Sequence, residues 1–288
     1  MRGRLGVQIG QQTLFREESY GDNDLRLNTK AALPFDAVAQ AFLGYYDTPR
    51  GIVRREVVRA NLSKHLSRNI RVRRAVDIGC GAGGDSAWLA LKGCDVVGVD
   101  PSSAMLSAAA EVALVHPSDV GRLQFIRADD SDLKDLFRGQ EFDLVLCHGV
   151  LMYQDDDGEF LDNICRLVRP GGALSLLTKN AHALAYRSVA DRNFKEAFTL
   201  LRSRESSRGR LGIEARAHSV EELSRALSAH GLVVDAWYGV RVFTDIVGEN
   251  RTRRDLSQLL ELETAASTVD PYRSSARLIH LIARKSTD

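Results

Sequence analysis

The sequence predicts an α/β fold, a parallel sheet with helices on both faces, in one domain over residues 34–288 behind an N-terminal extension, residues 1–33. Three observations predict it. Ala75-Val76-Asp77-Ile78 runs into a glycine cluster, Gly79-Cys80-Gly81-Ala82-Gly83-Gly84, and a helix-prone stretch from Ser86 to Leu91 follows. Strand, tight turn and helix in that order open a nucleotide-binding βαβ unit. Apolar runs and helical patterns then alternate along the chain, the signature of strands laid parallel by crossover helices. Finally, polar residues follow the strands: Asp77, Asp100, Asp129, His148 and Lys179-Asn180. Core packing has no use for polar groups there, whereas ligands of such sheets bind beyond the strands' carboxyl ends.

Residues 1–33 are polar and lack periodicity, with Gly21-Asp22-Asn23-Asp24 as a turn. They read equally as a tail, an extension or an arm onto a second subunit, so a homo-oligomer built through this arm stays open. From Pro34, Phe35, Val38, Ala39 and Phe42 recur at helical spacing. The stretch Gly44–Gly51 reads as a loop, and Ile52–His65 as a second helix whose Arg54, Arg55 and Arg59 either solvate its face or cap a cleft. After the glycine cluster, Asp95–Val99 is a second strand ending in Asp100. Pro101-Ser102-Ser103-Ala104-Met105-Leu106 then restarts a helix with a serine as its N-cap. Leu123–Ile126 is a third strand, leading to Asp129-Asp130-Ser131, and Phe142–His148 a fourth. A helix from Gly158 to Leu167 meets a turn at Arg169-Pro170-Gly171-Gly172, which delivers a fifth strand, Ala173–Thr178. Ala181–Arg208 reads as a helical insertion. Ser219-Val220-Glu221-Glu222 is a capping box, and Gly231 ends its helix. Two more strands, Leu232–Thr244 and Arg277–Ala283, flank a helix from Asp255 to about Ala266.

Composition narrows the function. Lys and Arg number 39 against 38 Asp and Glu, a net charge of +1, so no global field draws the chain to nucleic acid or an acidic membrane. The four cysteines are scattered without a CxxC pair, which indicates neither a zinc site nor a disulfide framework, and no cluster has metal-ligand spacing. No apolar leader or bilayer-length run is present, so a cytoplasmic, membrane-free protein is expected.

Asp77 stands two residues before the first glycine, where dinucleotide folds carry an apolar residue. An acid there suits a ligand bearing an ammonium group and a positive sulfur. Asp100, about 20 residues past the glycines, is placed to accept from a ribose diol. This resembles the S-adenosylmethionine (SAM) site of class I methyltransferases, whose Rossmann-like seven-stranded sheet ends in an antiparallel edge hairpin matching the last two strands.

From Phe35 to Lys285 the chain is similar to one such family, the bacterial tRNA 5-carboxymethoxyuridine methyltransferases. The likeness rests on Leu174-Ser175-Leu176 through Asn180-Ala181-His182, Gly239-Val240-Arg241-Val242-Phe243 with Asp245, and Leu259-Leu260-Glu261-Leu262-Glu263-Thr264. Pro271-Tyr272, Arg277, Ile279-His280, Ala283-Arg284-Lys285, Tyr46, Gly51 and Arg54 complete it. The resemblance implies that Arg54 reaches the SAM carboxylate beside Gly79 and Gly81. Asp100 would hold the ribose, Asp129, Asp130 and Ser131 with Met105 would border the adenosine, and His148 would close the pocket near the sulfonium. Arg241 and Arg277, with Tyr46 and His182, would face an acceptor carboxylate. Leu43-Gly44-Tyr45 departs from the family pattern, which carries an Arg-Asn pair there.

A carboxylate acceptor is already ionised and needs no general base. A phenol, alcohol or amine on a small natural product would need one, with His148, His182 or His280 as candidates and His148 preferred because it follows a strand into the cleft. Arg241 and Arg277 have a second reading, an internal salt bridge, with Glu261 or Glu263 as partner. A SAM-binding protein without catalysis remains open. An NAD-linked oxidoreductase is disfavoured by the acid at position 77.

Overall fold

The computed structural model describes residues 29–69, 72–114, 121–203, 207–208, 214–247 and 253–287, with short paired strands at 8–9 and 12–13. Most of the predicted N-terminal arm, including the Gly21–Asp24 turn, therefore lies outside the described residues.

Two helices precede the sheet, α1 (Thr29–Tyr46) and α2 (Pro49–Asn69). The expected loop between them shrinks to Asp47-Thr48. Thr48 explains the short break: its hydroxyl donates to the Tyr45 carbonyl at 2.7 Å and accepts the Gly51 amide at 3.1 Å. Gly51 is required by packing, since a Cβ there would sit 2.1 Å from the Tyr45 carbonyl oxygen.

The alternation follows as β1 (Arg74–Ile78), α3 (Gly84–Ala90), β2 (Asp95–Asp100), α4 (Ser103–Leu114), β3 (Leu123–Arg127) and a single turn, α5 (Leu133–Leu136). It continues through β4 (Phe142–His148), α6 (Asp157–Cys165), β5 (Val168–Lys179), α7 (Leu184–Ala190) and α8 (Phe194–Ser203). The chain closes with α9 (Val220–Ala229), β6 (Leu232–Val240), α10 (Arg253–Ala266) and β7 (Leu278–Lys285). The capping box forms as expected, Ser219 accepting the Glu222 amide and Glu222 the Ser219 amide.

The seven strands lie in the order β6-β7-β5-β4-β1-β2-β3, all parallel except β7, which runs against both its neighbours. Strands β1 and β4 are buried along nearly their whole length, as expected of a sheet covered on both faces. Phe142, Phe160, Leu144, Leu146 and Leu151 are among the fully buried side chains that pack it. Chain order reverses between β1 and β4, which opens a crevice at their carboxyl ends.

Two expected boundaries move. Arg169–Gly172 does not end an element. It bulges within β5, whose register to β4 passes from Phe142↔Val168 to Leu144↔Ala173. The penultimate strand stops at Val240, because Arg241 takes the left-handed conformation, φ +63°, and turns the chain away. The insertion after β5 is helical through α7 and α8, and a two-residue pairing, 207–208 with 214–215, follows it. Among the described residues no helix is long and apolar enough to cross a membrane.

Candidate active site

The loop after β1 folds back on β2. The amides of Gly79 and Cys80 both donate to the Val99 carbonyl, at 2.8 and 3.0 Å. Gly79 is held at φ +67°, and a Cβ there would meet Val150 Cγ2 at 2.2 Å, so only glycine fits beneath the loop that follows β4. Asp100 anchors the arrangement from β2. One carboxylate oxygen accepts the Gly81 amide at 2.8 Å and the other the Ser102 amide at 2.9 Å. The Ser102 hydroxyl donates to Asp36 of α1 and accepts the amide of Met105, itself buried. On the next strand, Asp129 Oδ1 accepts both the amide and the hydroxyl of Ser131, and the Asp130 carbonyl accepts from Asn163. Burial and the charge of Asp129 push the Asp130 carboxyl up.

Asp77 is 2 % exposed. Its partner is the Ser86 hydroxyl, 2.6 Å away at the start of α3, and burial with the nearby charge of Asp85 pushes its carboxyl up to about 7. A buried carboxyl beside a glycine cradle suits a cationic group, whose approach would bring that pKa down again.

Asp85, which sequence reasoning missed, organises the crevice floor. It takes Arg59 Nε at 2.8 Å on one oxygen and His148 Nδ1 at 3.1 Å on the other. Burial acts to raise its carboxyl, but the His148 and Arg59 interactions outweigh it and hold the group well below the usual range. His148 Nε2 lies 2.9 Å from Ser175 Oγ, which lies 2.8 Å from His280 Nε2. One proton arrangement satisfies this line: His280 Nε2 donates to Ser175, Ser175 to His148, and His148 Nδ1 to Asp85. The fully buried His280 Nδ1 is then left as a bare acceptor, and burial is the main cause that drives this ring's pKa well down.

His148 therefore differs from the free base expected of it. Both ring nitrogens are used inside the fold, and its carbonyl accepts Arg54 Nη2 at 2.7 Å. Arg54 lies along the crevice against Gly149. Tyr46, expected on the acceptor side, stands against the glycine loop, its hydroxyl 2.9 Å from where a Cβ on Gly81 would sit. Burial is the main cause that lifts its phenol to about 12.

The acceptor arginines separate. Arg241 is committed to Asp245, whose two oxygens both lie 2.5 Å from Nη2, while Nη1 donates to the Tyr45 hydroxyl at 3.2 Å and Arg50 joins Asp245 at 2.7 Å. This is the internal salt bridge, made to Asp245 and not to Glu261 or Glu263. Glu263, fully buried on α10, accepts the amides of Val242, Phe243 and Thr244 and the Thr244 hydroxyl, and so holds the turn that Arg241 begins. Arg277 is half-buried. Its amide donates to the Arg241 carbonyl, and its Nη1 donates to the Ala183 carbonyl at 3.2 Å. His182 is exposed, with its amide on the Asn180 side chain.

Comparison with known proteins decides the family. A methyltransferase-domain family model matches residues 76–176. The tRNA 5-carboxymethoxyuridine methyltransferase of Escherichia coli K12 is 30% identical over 255 residues, covering 87% of this chain and 95% of that protein. The chain belongs to that family of SAM-dependent methyltransferases. A ubiquinone biosynthesis O-methyltransferase of Chelativorans sp. is 29% identical over 71% of this chain and 78% of its own. Among solved structures, the magnesium protoporphyrin IX methyltransferase of Synechocystis PCC 6803 with bound S-adenosylhomocysteine (SAH) superposes with a TM-score of 0.61. It is 16% identical and covers 90% of this chain and 99% of its own, a likeness of fold.

The residues present suit the cofactor of this methyltransferase. The glycine cradle, the high carboxyl of Asp77 and the buried Asp100 offer close backbone approach, a partner for a cation and acceptors for hydroxyls. Among the described residues no group of three or more His, Cys, Asp or Glu side chains is arranged to hold a metal ion. The roles that Asp85, Ser175, His280 and Glu263 take in the fold were not legible in the sequence for a common reason. Each sits in an ordinary strand or helix pattern, and its partners are 19 to 105 residues away.

Proposed function

We propose that this methyltransferase esterifies a carboxylate on its acceptor, and that the acceptor class is a tRNA-borne 5-carboxymethoxyuridine. The observation that carries the reading is the commitment of His148. With both ring nitrogens held by Asp85 and Ser175, the histidine at the crevice floor is not available to deprotonate a hydroxyl or amine, and a carboxylate nucleophile asks for no base. The family relationship supports the same acceptor. SAM, when bound, supplies the methyl group on a good leaving group. Asp77 would meet its ammonium, Arg54 its carboxylate, and Asp100 its ribose hydroxyls, with Met105, Asp129, Asp130 and Ser131 around the adenosine. The chain's own contribution is alignment and exclusion of water, and orientation can supply roughly 7–11 kcal/mol of the barrier. We place this activity in the cytoplasm, with the tRNA pool.

The deciding measurement is the stability of the new bond. Tritiated SAM with tRNA containing 5-carboxymethoxyuridine should give label that mild alkali releases as volatile methanol. Alkali-stable label would mark ether, N- or C-methylation and sink the ester reading. The near-neutral net charge supports a free small-molecule acceptor as a second reading. Label recovered from a metabolite extract, with tRNA inert, would favour it.

Asp77 gives a proton-linkage prediction. Its carboxyl is raised in the folded protein, so its favourable effect on stability is complete below about pH 4 and is lost as pH rises through about 7. A bound ammonium lowers that pKa again. SAH binding at pH 6.5 should therefore release a proton, seen as a dependence of the calorimetric enthalpy on buffer ionisation heat. Asp77→Asn should abolish the dependence, weaken SAH, and leave the ligand-free protein more stable than wild type at pH 7.5. An identical buffer dependence in the variant would refute the pairing.

A further inference from the structure

The helical insertion after β5 holds apolar side chains out in water. On α8, Phe194, Phe198 and Leu201 recur at i, i+4 and i+7, so they form one stripe, and they are 58 %, 64 % and 66 % exposed. The inward face of the same helix is supplied by Ala197 and Leu200, each 5 % exposed, so the stripe is surplus to packing. Tyr186 and Val189, three apart on the neighbouring α7, are exposed as well. Apolar surface gathered in this way, aromatic for the most part, marks a place of contact.

The charges beside the stripe are positive. Lys195 and Arg202, two turns apart, stand on its solvent side, and both are exposed, as is Arg192 just before the helix. The acids nearby are turned to other partners. Asp191 takes Arg187 Nε at 3.3 Å, and Glu196 Oε2 accepts the Ser188 hydroxyl at 2.9 Å and the Asn193 side-chain amide at 3.0 Å. Across residues 184–210 the sequence holds seven Arg and Lys against three Asp and Glu, an excess that the chain as a whole, at +1, does not have. The surface is also close to the site along the chain. α7 begins directly after the Ala181–Ala183 turn at the carboxyl end of β5, the strand next to β4, at the edge of the sheet where the crevice opens.

We propose that the exposed face of α8, Phe194, Phe198 and Leu201 with Lys195 and Arg202, is a docking surface for single-stranded RNA. The rings stack on unpaired bases beside the modified uridine, and the two cations meet the phosphates that join them. The proposal rests on the tRNA reading above and adds the surface that holds the RNA. Aromatic rings bordered by cations match unpaired nucleotides, since every base offers a π-face and every step a phosphate. Charge disfavours a second copy of this chain, because a twofold contact would set the Lys195–Arg202 edge against itself. Continuity with the crevice favours the acceptor's own RNA over a lipid surface.

The test separates stacking from apolar contact and binding from turnover. The probe is a fluorescein-labelled anticodon stem-loop carrying 5-carboxymethoxyuridine, titrated into the SAH-loaded protein and read by anisotropy. The double variant Phe194→Leu with Phe198→Leu keeps the apolar surface and removes the rings. It should weaken RNA binding by about tenfold or more, with SAH affinity and melting temperature unchanged. Tryptophan at both positions should bind at least as tightly as wild type. Lys195→Ala and Arg202→Ala should each lower the slope of log affinity against log salt by about 0.7. Undiminished RNA affinity in the leucine variant, or no binding by wild type, overturns the proposal. So does a wild-type dimer that Phe198→Asp makes monomeric, or flotation with phosphatidylglycerol vesicles that Phe198→Asp abolishes, since either gives the face another occupant. Ring-dependent RNA binding without methyl transfer to the stem-loop upholds the surface and removes the carboxyl-methylation reading. Alkali-labile methylation of the stem-loop by the leucine variant, at the kcat/KM of wild type, does the reverse.

Discussion

Asp100→Ala is expected to weaken SAH binding by at least a hundredfold while the protein still folds. Its carboxylate already holds the glycine loop to β2 through the Gly81 and Ser102 amides, at 2.8 and 2.9 Å. The remaining lone pairs are the acceptors proposed for the ribose hydroxyls. Hydrogen bonds to a charged group contribute about 1.5–3 kcal/mol each, so losing two amounts to about 3 kcal/mol or more. At about 1.4 kcal/mol per tenfold, that is two decades of affinity. Asp100→Asn, which keeps one acceptor oxygen, should fall between. The alanine variant also frees two loop amides, so its ligand-free melting temperature should drop modestly. Calorimetry with SAH checks the main effect, and wild-type affinity in the alanine variant would remove Asp100 from the cofactor site.

Glu263→Gln should be the most damaging isosteric change in the protein for stability. The fully buried carboxylate accepts three consecutive backbone amides and the Thr244 hydroxyl. Glutamine replaces one acceptor oxygen with a donor and turns it toward groups that are themselves donors. A buried polar group left unsatisfied costs about 1–3 kcal/mol, and at least two are created here, so a loss of about 3–5 kcal/mol is expected. At roughly 2–4 °C per kcal/mol for a chain of this size, the melting temperature should fall by about 6–20 °C. The turn it holds begins with Arg241 in the left-handed conformation, a strained state for an arginine that persists only where its surroundings fix it. That residue's carbonyl also accepts the Arg277 amide. The folded fraction of Glu263→Gln should therefore show a raised KM for the acceptor with SAH affinity unchanged. A melting temperature within 2 °C of wild type would mean the turn does not depend on this carboxylate.

The arrangement at the carboxyl ends of β1 and β2 was legible in the sequence because it is local. Asp77, Gly79, Gly81 and Asp100 follow from a strand, a glycine cluster and a second strand about 20 residues on, and the spacing alone brings an acid and a cradle together. That the Tyr46 hydroxyl comes against Gly81 was not legible, because its position depends on how closely α1 and α2 cross. Asp47-Thr48 and the close contact at Gly51 determine that crossing.

What the sequence determined by itself was the order of elements and the identity of the groups at the strand ends. Periodicity, glycine placement and capping are properties of neighbouring residues, and so are the expectations of a Rossmann-like sheet and a SAM pocket. What only the tertiary structure decided was which of those groups are free to act. His148 and Arg241 both looked available in the linear chain. The fold brings Asp85 and Ser175 onto the first and Asp245, with the turn that Glu263 holds, onto the second. Lys179 went the other way, from one polar residue among several at the strand ends to a buried side chain whose Nζ donates to the Ala215 carbonyl. A charged side chain's role depends on what shares its low-dielectric surroundings, and those neighbours are set by packing across the sheet, not by sequence separation.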